Sequence, residues 1–144
     1  MILIDTTVLV YATGTEHPLR APSRNLLARV QEGALRASTT IEVIQELAHV
    51  RSRRTSRTEA ASVARAFAAG LGPLVQVDED DLVEGLSLYA RDQSLGAFDA
   101  VLAATALRRG WTLGSADRAF RAVPGLVYLD PGSPSFEQDL ATMG

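Results

Sequence analysis

Apolar positions along this chain fall into short unbroken runs and longer helical periods, and the two kinds alternate. Ile2-Leu3-Ile4 is a short run ending on Asp5, the pattern of a strand buried on both faces that delivers an acid at its carboxyl end. Thr6 to Ala12 read as a helical turn. Pro22 opens a helical period through Leu26, Leu27 and Val30 that stops at Gly33, with proline at the first helical position and glycine just past the end. Leu35 to Ala37 predict a short strand. The hydroxyls of Ser38-Thr39-Thr40 then suit the N-cap of a helix through Ile41, Ile44, Leu47, Ala48 and Val50. Ser56 and Glu59 have capping-box spacing, so a further helix is expected through Val63, Ala66 and Phe67 to Gly70, ended before Pro73. Leu74 to Val77 read as another strand. The cluster Asp78-Glu79-Asp80-Asp81 suits the first turn of a helix through Leu82, Leu86 and Tyr89, where the backbone dipole favours negative charge. Asp99 opens an Ala-rich helix through Leu102, Ala103, Ala106 and Leu107 to Gly110, followed by strands at Trp111 to Leu113 and Leu126 to Leu129.

Short strands alternating with helices predict an α/β fold with a parallel sheet covered on both faces and ligands at the carboxyl ends of the strands. Residues 1–144 read as a single domain without repeat or linker, and the Pro/Gly/Ser-rich stretch 131–144 reads as a loosely held tail. No apolar run approaches the ~18 residues that would span a bilayer, and the start lacks the charged flank of a signal peptide, so a cytoplasmic location without membrane attachment is expected.

Composition removes several chemistries. There is no cysteine, hence no disulfide, thiolate nucleophile or Cys-based zinc site. All 14 basic residues are arginine, which excludes Schiff-base lysine chemistry and a Walker-type phosphate-binding lysine. The net charge of -3 is unevenly spread. Residues 20–65 carry nine Arg against Glu32, Glu42, Glu46 and Glu59, a balance of +5, and the remainder stands at -8. A basic region therefore coexists with an acidic one, as an enzyme acting on a polyanion requires.

Asp5 closes the first strand and Asp117 lies four residues after Leu113, so parallel order brings both to one edge of the sheet. Asp99 at a helix start and Glu46 within a helix complete a four-acid set. Like charges so gathered repel unless a cation binds them, and a hard divalent ion such as Mg²⁺ suits an all-carboxylate set. Each acid alone also has a structural reading. Asp5 and Asp99 suit helix caps, Ser115-Ala116-Asp117 suits a turn, and Glu46 sits amid Ile44, Leu47 and Ala48. Glu46 and His49 have Glu-x-x-His spacing, but a bundle site needs a second copy, so His49 reads as a helix-surface or packing residue and His17 as a solvated loop residue. Arg51, Arg53, Arg54 and Arg57 fall between two helices, where they serve either as solvated helix-end charges or as a clamp for the phosphates of a polyanion.

The stretches Ile2-Leu3-Ile4-Asp5-Thr6-Thr7-Val8-Leu9-Val10-Tyr11-Ala12, Val43-Ile44-Gln45-Glu46-Leu47, Phe98-Asp99-Ala100-Val101-Leu102-Ala103-Ala104 and Ser115-Ala116-Asp117-Arg118-Ala119-Phe120 resemble, in order and spacing, the four acidic motifs of PIN-domain nucleases, most closely the VapC toxins. The resemblance runs from Ile2 to about Leu129. It implies a three-layer α/β/α sandwich with a central parallel sheet, and a Mg²⁺ or Mn²⁺ site at Asp5, Glu46, Asp99 and Asp117 supported by Thr7 and Ser115. It also implies an endoribonuclease toxin that leaves 3′-hydroxyl and 5′-phosphate ends, forms a homodimer and is neutralised by a cognate VapB-like antitoxin. Glu42 lies one turn before Glu46; the family's Glu-Leu pattern favours Glu46.

Three other readings fit the chain less well. An Asp-nucleophile phosphatase needs a second Asp two residues after Asp5, where Thr7 stands, and a phosphoryl-holding lysine. A receiver domain needs an acidic pair after the first strand and a late lysine. A catalytically inactive PIN-fold module binding RNA or protein is disfavoured by the presence of all four acids.

Overall fold

The structure, a computed structural model, describes residues 1–143; Gly144, the last residue of the expected tail, lies outside the described residues. Four parallel strands, β1 (Ile2–Ile4), β2 (Ala37–Ser38), β3 (Thr112–Gly114) and β4 (Val127–Leu129), form one sheet in the order β2-β1-β3-β4. Ile2, Leu3 and Ile4 pair with Thr112, Leu113 and Gly114, so the acid after β1 and the turn after β3 leave the sheet side by side. Successive strand side chains point to opposite faces, and all three of β1 are at most 3% exposed, which requires cover on both faces.

That cover comes from seven helices among the described residues: α1 (Thr6–Thr13), α2 (Arg20–Gln31), α3 (Ile41–Ser52), α4 (Arg57–Gly70), α5 (Glu79–Arg91), α6 (Ala97–Arg109) and α7 (Phe136–Met143). Helix α1 packs on α2 and α3, α3 on α4, α6 on β3, and α5 chiefly on α6. The expected sandwich of helices around a parallel sheet is the observed fold. Helix α5 approaches α6 very closely because Gly85 has no side chain: a Cβ there would lie 2.5 Å from the Cα of Val101.

Several local expectations need correction. The strand expected at Leu74 to Val77 is absent; the segment meets the sheet only at the bridge between Thr40 and Val75. Pro73 has no N–H for a ladder, its carbonyl accepts instead from the Ser38 hydroxyl at 2.8 Å, and Asp78 starts α5 at once. Helix α2 starts two residues before Pro22, so proline occupies the first turn and not its first position. The Ser56–Glu59 box is half formed. Ser56 accepts from the Glu59 N–H at 3.1 Å, but the Glu59 carboxylate is drawn away to Arg51 and Thr55. The reciprocal box forms at Asp78 and Asp81 instead.

The stretch after Pro131 is not a loose tail over its described residues. It carries α7, which buries Phe136 and Leu140, and Glu137 accepts both hydrogen bonds from the Asn25 amide. Buried Asp130 anchors its start by pairing with Arg121 and accepting from the Gly132 N–H at 2.7 Å.

Candidate active site

The carboxyl ends of β1 and β3 open into a cleft of about 330 Å³ lined by Asp5, Thr6, Thr7, Glu46, Asp99 and Asp117, with Val10, Tyr11 and Val50 as its apolar wall. Four elements of distant sequence supply the acids. Asp5 follows β1 and caps α1, Glu46 lies mid-way along α3, Asp99 is in the first turn of α6, and Asp117 caps the 3₁₀ turn Arg118–Ala122 after β3.

Capping and lining the cleft are compatible, because a carboxylate has two oxygens. Asp5 is only 2% exposed, yet one oxygen receives all its hydrogen bonds: Oδ2 accepts from the Thr7 hydroxyl at 2.7 Å, the Ser115 hydroxyl at 2.7 Å and, more weakly, the Thr7 N–H at 3.4 Å. Asp117 uses Oδ1 to accept from the Ala119 N–H at 2.9 Å. Glu46 uses Oε2 to accept from the Thr6 hydroxyl. Each of these three acids thus has one oxygen fixed by the protein and one without a protein donor among the described residues. Asp99 has no side-chain hydrogen bond of its own, and its carboxyl is pushed up to about 6, first by burial and then by the charges of Asp5, Asp117 and Glu46. Burial sets most of that shift, and the three neighbouring carboxylates add to it.

Thr7 and Ser115 act as braces between the two sheet ends. The Thr7 oxygen accepts from the Ala116 N–H at 2.9 Å and the Ser115 oxygen from the Asp117 N–H at 3.0 Å, so each donates to Asp5 while holding the turn that carries Asp117. Thr6 was missed by sequence reasoning. It follows Asp5 and precedes Val10 by four residues, so tracing the cleft face of α1 from its cap would have found it. Glu42 is exposed and does not line the cleft, whereas Glu46 does; His49 is exposed outside the lining too. His17 is exposed in its loop, as expected, where it also stacks on Tyr11 with ring centroids 4.5 Å apart and accepts from the Leu19 N–H.

The three arginines expected to hold RNA separate. Arg51 pairs with Glu59 and donates to the Thr13 carbonyl at 3.0 Å, joining α1, α3 and α4. Its guanidinium is therefore engaged by the fold. Arg53 and Arg54 are exposed, and only Arg54 borders a cavity beside the cleft.

An all-oxygen donor set suits a hard divalent ion. Among the described residues no three acids or histidines close around a single point, as expected for carboxylates that repel. An octahedral Mg²⁺ does not need such a cage, since it keeps several waters and takes only one or two protein carboxylates. The unshared oxygens of Asp5, Glu46 and Asp117, with Asp99 beside them, fit that demand.

The PIN domain family model matches residues 2–126. The chain is 44% identical to Ribonuclease VapC7 of Mycobacterium tuberculosis over 136 residues, 91% of this chain and 92% of that protein. It is 37% identical to Ribonuclease VapC23 of the same organism over 114 residues, 78% of this chain and 88% of that protein. In fold it is similar to VapBC2 from Rickettsia felis bound to a promoter DNA fragment, with a TM-score of 0.72 at 18% identity over 90% of this chain and 98% of that one. DNA-bound VapBC from Salmonella typhimurium gives 0.69 at 17%, over 90% and 97%. The chain belongs to the PIN domain family, among the VapC ribonucleases.

Proposed function

We propose that this protein is a Mg²⁺- or Mn²⁺-dependent endoribonuclease toxin, cutting RNA to 3′-hydroxyl and 5′-phosphate ends and restrained by a VapB-like antitoxin. The observation that carries the reading is the set of four acids in one cleft, three of them held through a single oxygen. Asp5, Glu46, Asp99 and Asp117 would hold the ion, directly or through its waters. When bound, it supplies Lewis acidity, lowering the pKa of a coordinated water and neutralising phosphate charge.

The chain's own residues set the geometry. Thr7 and Ser115 turn Asp5 so that its second oxygen faces the cleft, and Thr6 does the same for Glu46. Val10 and Val50 restrict water on one side. No side-chain nucleophile is required, and with Thr7 two residues after Asp5 the phosphatase alternative lacks its acid.

An antitoxin that covers this site would offer an Arg to the acids, since one guanidinium can meet carboxylate oxygens two at a time. Homodimer formation is supported by an apolar stripe on α5, where Leu82, Val83, Leu86 and Tyr89 are 47–65% exposed. No helix among the described residues is long and apolar enough to cross a membrane; the proposed site of action is the cytoplasm.

The test is cleavage of purified RNA by purified protein. Activity should appear with Mg²⁺ or Mn²⁺, stop with EDTA, return on adding excess metal, and leave 5′-phosphate ends. Undiminished cleavage in EDTA would contradict the mechanism.

A further inference from the structure

Beside the acidic cleft lies a second cavity, of about 360 Å³, with the opposite electrostatic character. The two share Val10 and Val50 as lining residues, so they adjoin. Its polar lining comes from Thr13, Thr15, Arg20, Arg51, Arg54 and Thr55 at the junction of α1, α2 and α3.

These groups are not equally available. Arg51 is committed to Glu59 and the Thr13 carbonyl, Thr13 donates to the Leu9 carbonyl at 2.8 Å, and the Thr55 hydroxyl donates to Glu59. Arg20 pairs at one end with Glu16, which is 93% exposed, while its Nε–H is buried without an acceptor. Arg54 is exposed and forms no ion pair among the described residues, and Thr15 is exposed at the rim. The acids of this neighbourhood are Glu16, turned largely to water, and Glu59, saturated by Arg51 and Thr55. A buried guanidinium N–H without an acceptor costs free energy that an arriving anion would recover.

We propose that this cavity is a phosphate subsite, holding through Arg20 and Arg54 one backbone phosphate of the RNA near the scissile one and so setting where the strand is cut. The inference rests on the ribonuclease reading and refines it. The clamp is Arg20 and Arg54, from α2 and the end of α3; Arg51 is its structural backing and Arg53 stands outside it. Arginine suits the task because its planar fork meets phosphate oxygens two at a time.

The experiment uses the full chain and a labelled single-stranded RNA of mixed sequence, with the Asp99→Asn background keeping the RNA intact for binding. A set of the same strand carries one neutral methylphosphonate at each successive position. Arg54→Gln and Arg20→Gln should each weaken binding several-fold and lower the slope of log affinity against log salt, the double variant by about 0.7, the value for one single-strand phosphate contact. Arg54→Lys should restore the slope, because charge is kept. Arg65→Gln, an exposed arginine of α4 outside the cavity, should change neither.

One methylphosphonate position should weaken the parent protein as much as Arg54→Gln does and weaken the Arg54→Gln variant no further. In the cleavage-competent protein both changes should raise KM and spread the cut sites with kcat little altered. Arginine effects that couple to no single phosphate, or that Arg65→Gln reproduces, would overturn the subsite and leave diffuse attraction. The ribonuclease reading fails separately. A parent protein that cleaves no RNA in metal, yet shows the positional coupling, keeps the phosphate site and loses the hydrolysis.

Discussion

The Ser115 hydroxyl donates to Oδ2 of Asp5 at 2.7 Å, across 110 residues of sequence, and the Thr7 hydroxyl donates to the same oxygen. Each hydroxyl has one proton. With both directed at Asp5, the 3.1 Å contact between Thr7 and Ser115 carries none, and the Asp5 carboxylate cannot rotate without losing both bonds. Ser115→Ala and Thr7→Val should therefore each reduce cleavage about 10- to 100-fold, the usual effect of removing a group that orients a metal ligand, the role proposed for Asp5, and lower stability by about 1 to 2 kcal/mol. Kinetics at saturating metal with parallel denaturant titrations check this. Normal kinetics in Ser115→Ala would show that Asp5 needs no brace.

Thr6→Val removes the donor to Glu46 and keeps the shape of a side chain that is 5% exposed. A free Glu46 samples rotamers outside the cleft. The expected outcome is a roughly 10-fold rise in the Mg²⁺ concentration giving half-maximal activity, with kcat largely recovered at high metal. A metal titration identical to the parent's would contradict it.

The raised Asp99 carboxyl makes metal-free stability depend on pH. Its pKa rises from 3.8 to about 6 on folding, so between those values the folded state binds the extra proton. Stability must then fall as pH rises through that window and stay lower above it. Asp99→Asn removes this contribution and should be the more stable protein above pH 6, by on the order of 1 kcal/mol after allowing for solvent screening. Thermal melts of both proteins in EDTA across the window read the difference. Parallel melting curves would mean that the Asp99 carboxyl is not raised by its surroundings.

Asp81 has the opposite behaviour and no part in the chemistry. It is fully buried, and although burial pushes its carboxyl up, hydrogen bonds from Arg109, the Asp78 N–H and Arg108 outweigh this and hold it below the usual range. Its contribution is present above the ordinary carboxylate pKa and disappears as pH falls through the lowered folded value. Asp81→Asn should cost about 2 to 3 kcal/mol, because it leaves two arginines without their central partner, while kcat stays at the parent value. A large loss of kcat in a folded Asp81→Asn protein would argue against this separation.

The order of β1, β3 and the intervening helices was legible because Ile2-Leu3-Ile4 is an unbroken apolar run and Trp111-Thr112-Leu113 has strand-forming side chains just after the Gly110 helix stop, and parallel pairing then brings Asp5 and Asp117 together. The failures have physical causes of the same scale. Leu74 to Val77 has strand composition, but its pairing depends on an edge that β2 offers over only two residues. The C-terminal stretch looked loose because Phe136 and Leu140 are its only buried residues within α7, too few to mark a period. The close α5–α6 contact turns on Gly85, which sequence alone does not distinguish from a helix-weakening glycine. At the site, residue types were legible and partners were not. Nothing local distinguishes Arg51, bound to Glu59, from Arg54 beside it, and nothing local joins Thr6 to Glu46 forty residues on.

The central claim, that Asp5, Glu46, Asp99 and Asp117 perform metal-dependent RNA hydrolysis, is tested most directly by single-turnover cleavage at saturating Mn²⁺. The measurement compares Asp5→Asn, Glu46→Gln, Asp99→Asn and Asp117→Asn with Glu42→Gln, each confirmed folded. The four cleft variants should lose at least about 100-fold in rate, since each removes a ligand or its charge, and Glu42→Gln, on an exposed side chain outside the cleft, should cut at the parent rate. Near-parental cleavage by Glu46→Gln, Asp99→Asn or Asp117→Asn, or loss of activity in Glu42→Gln alone, would contradict the account.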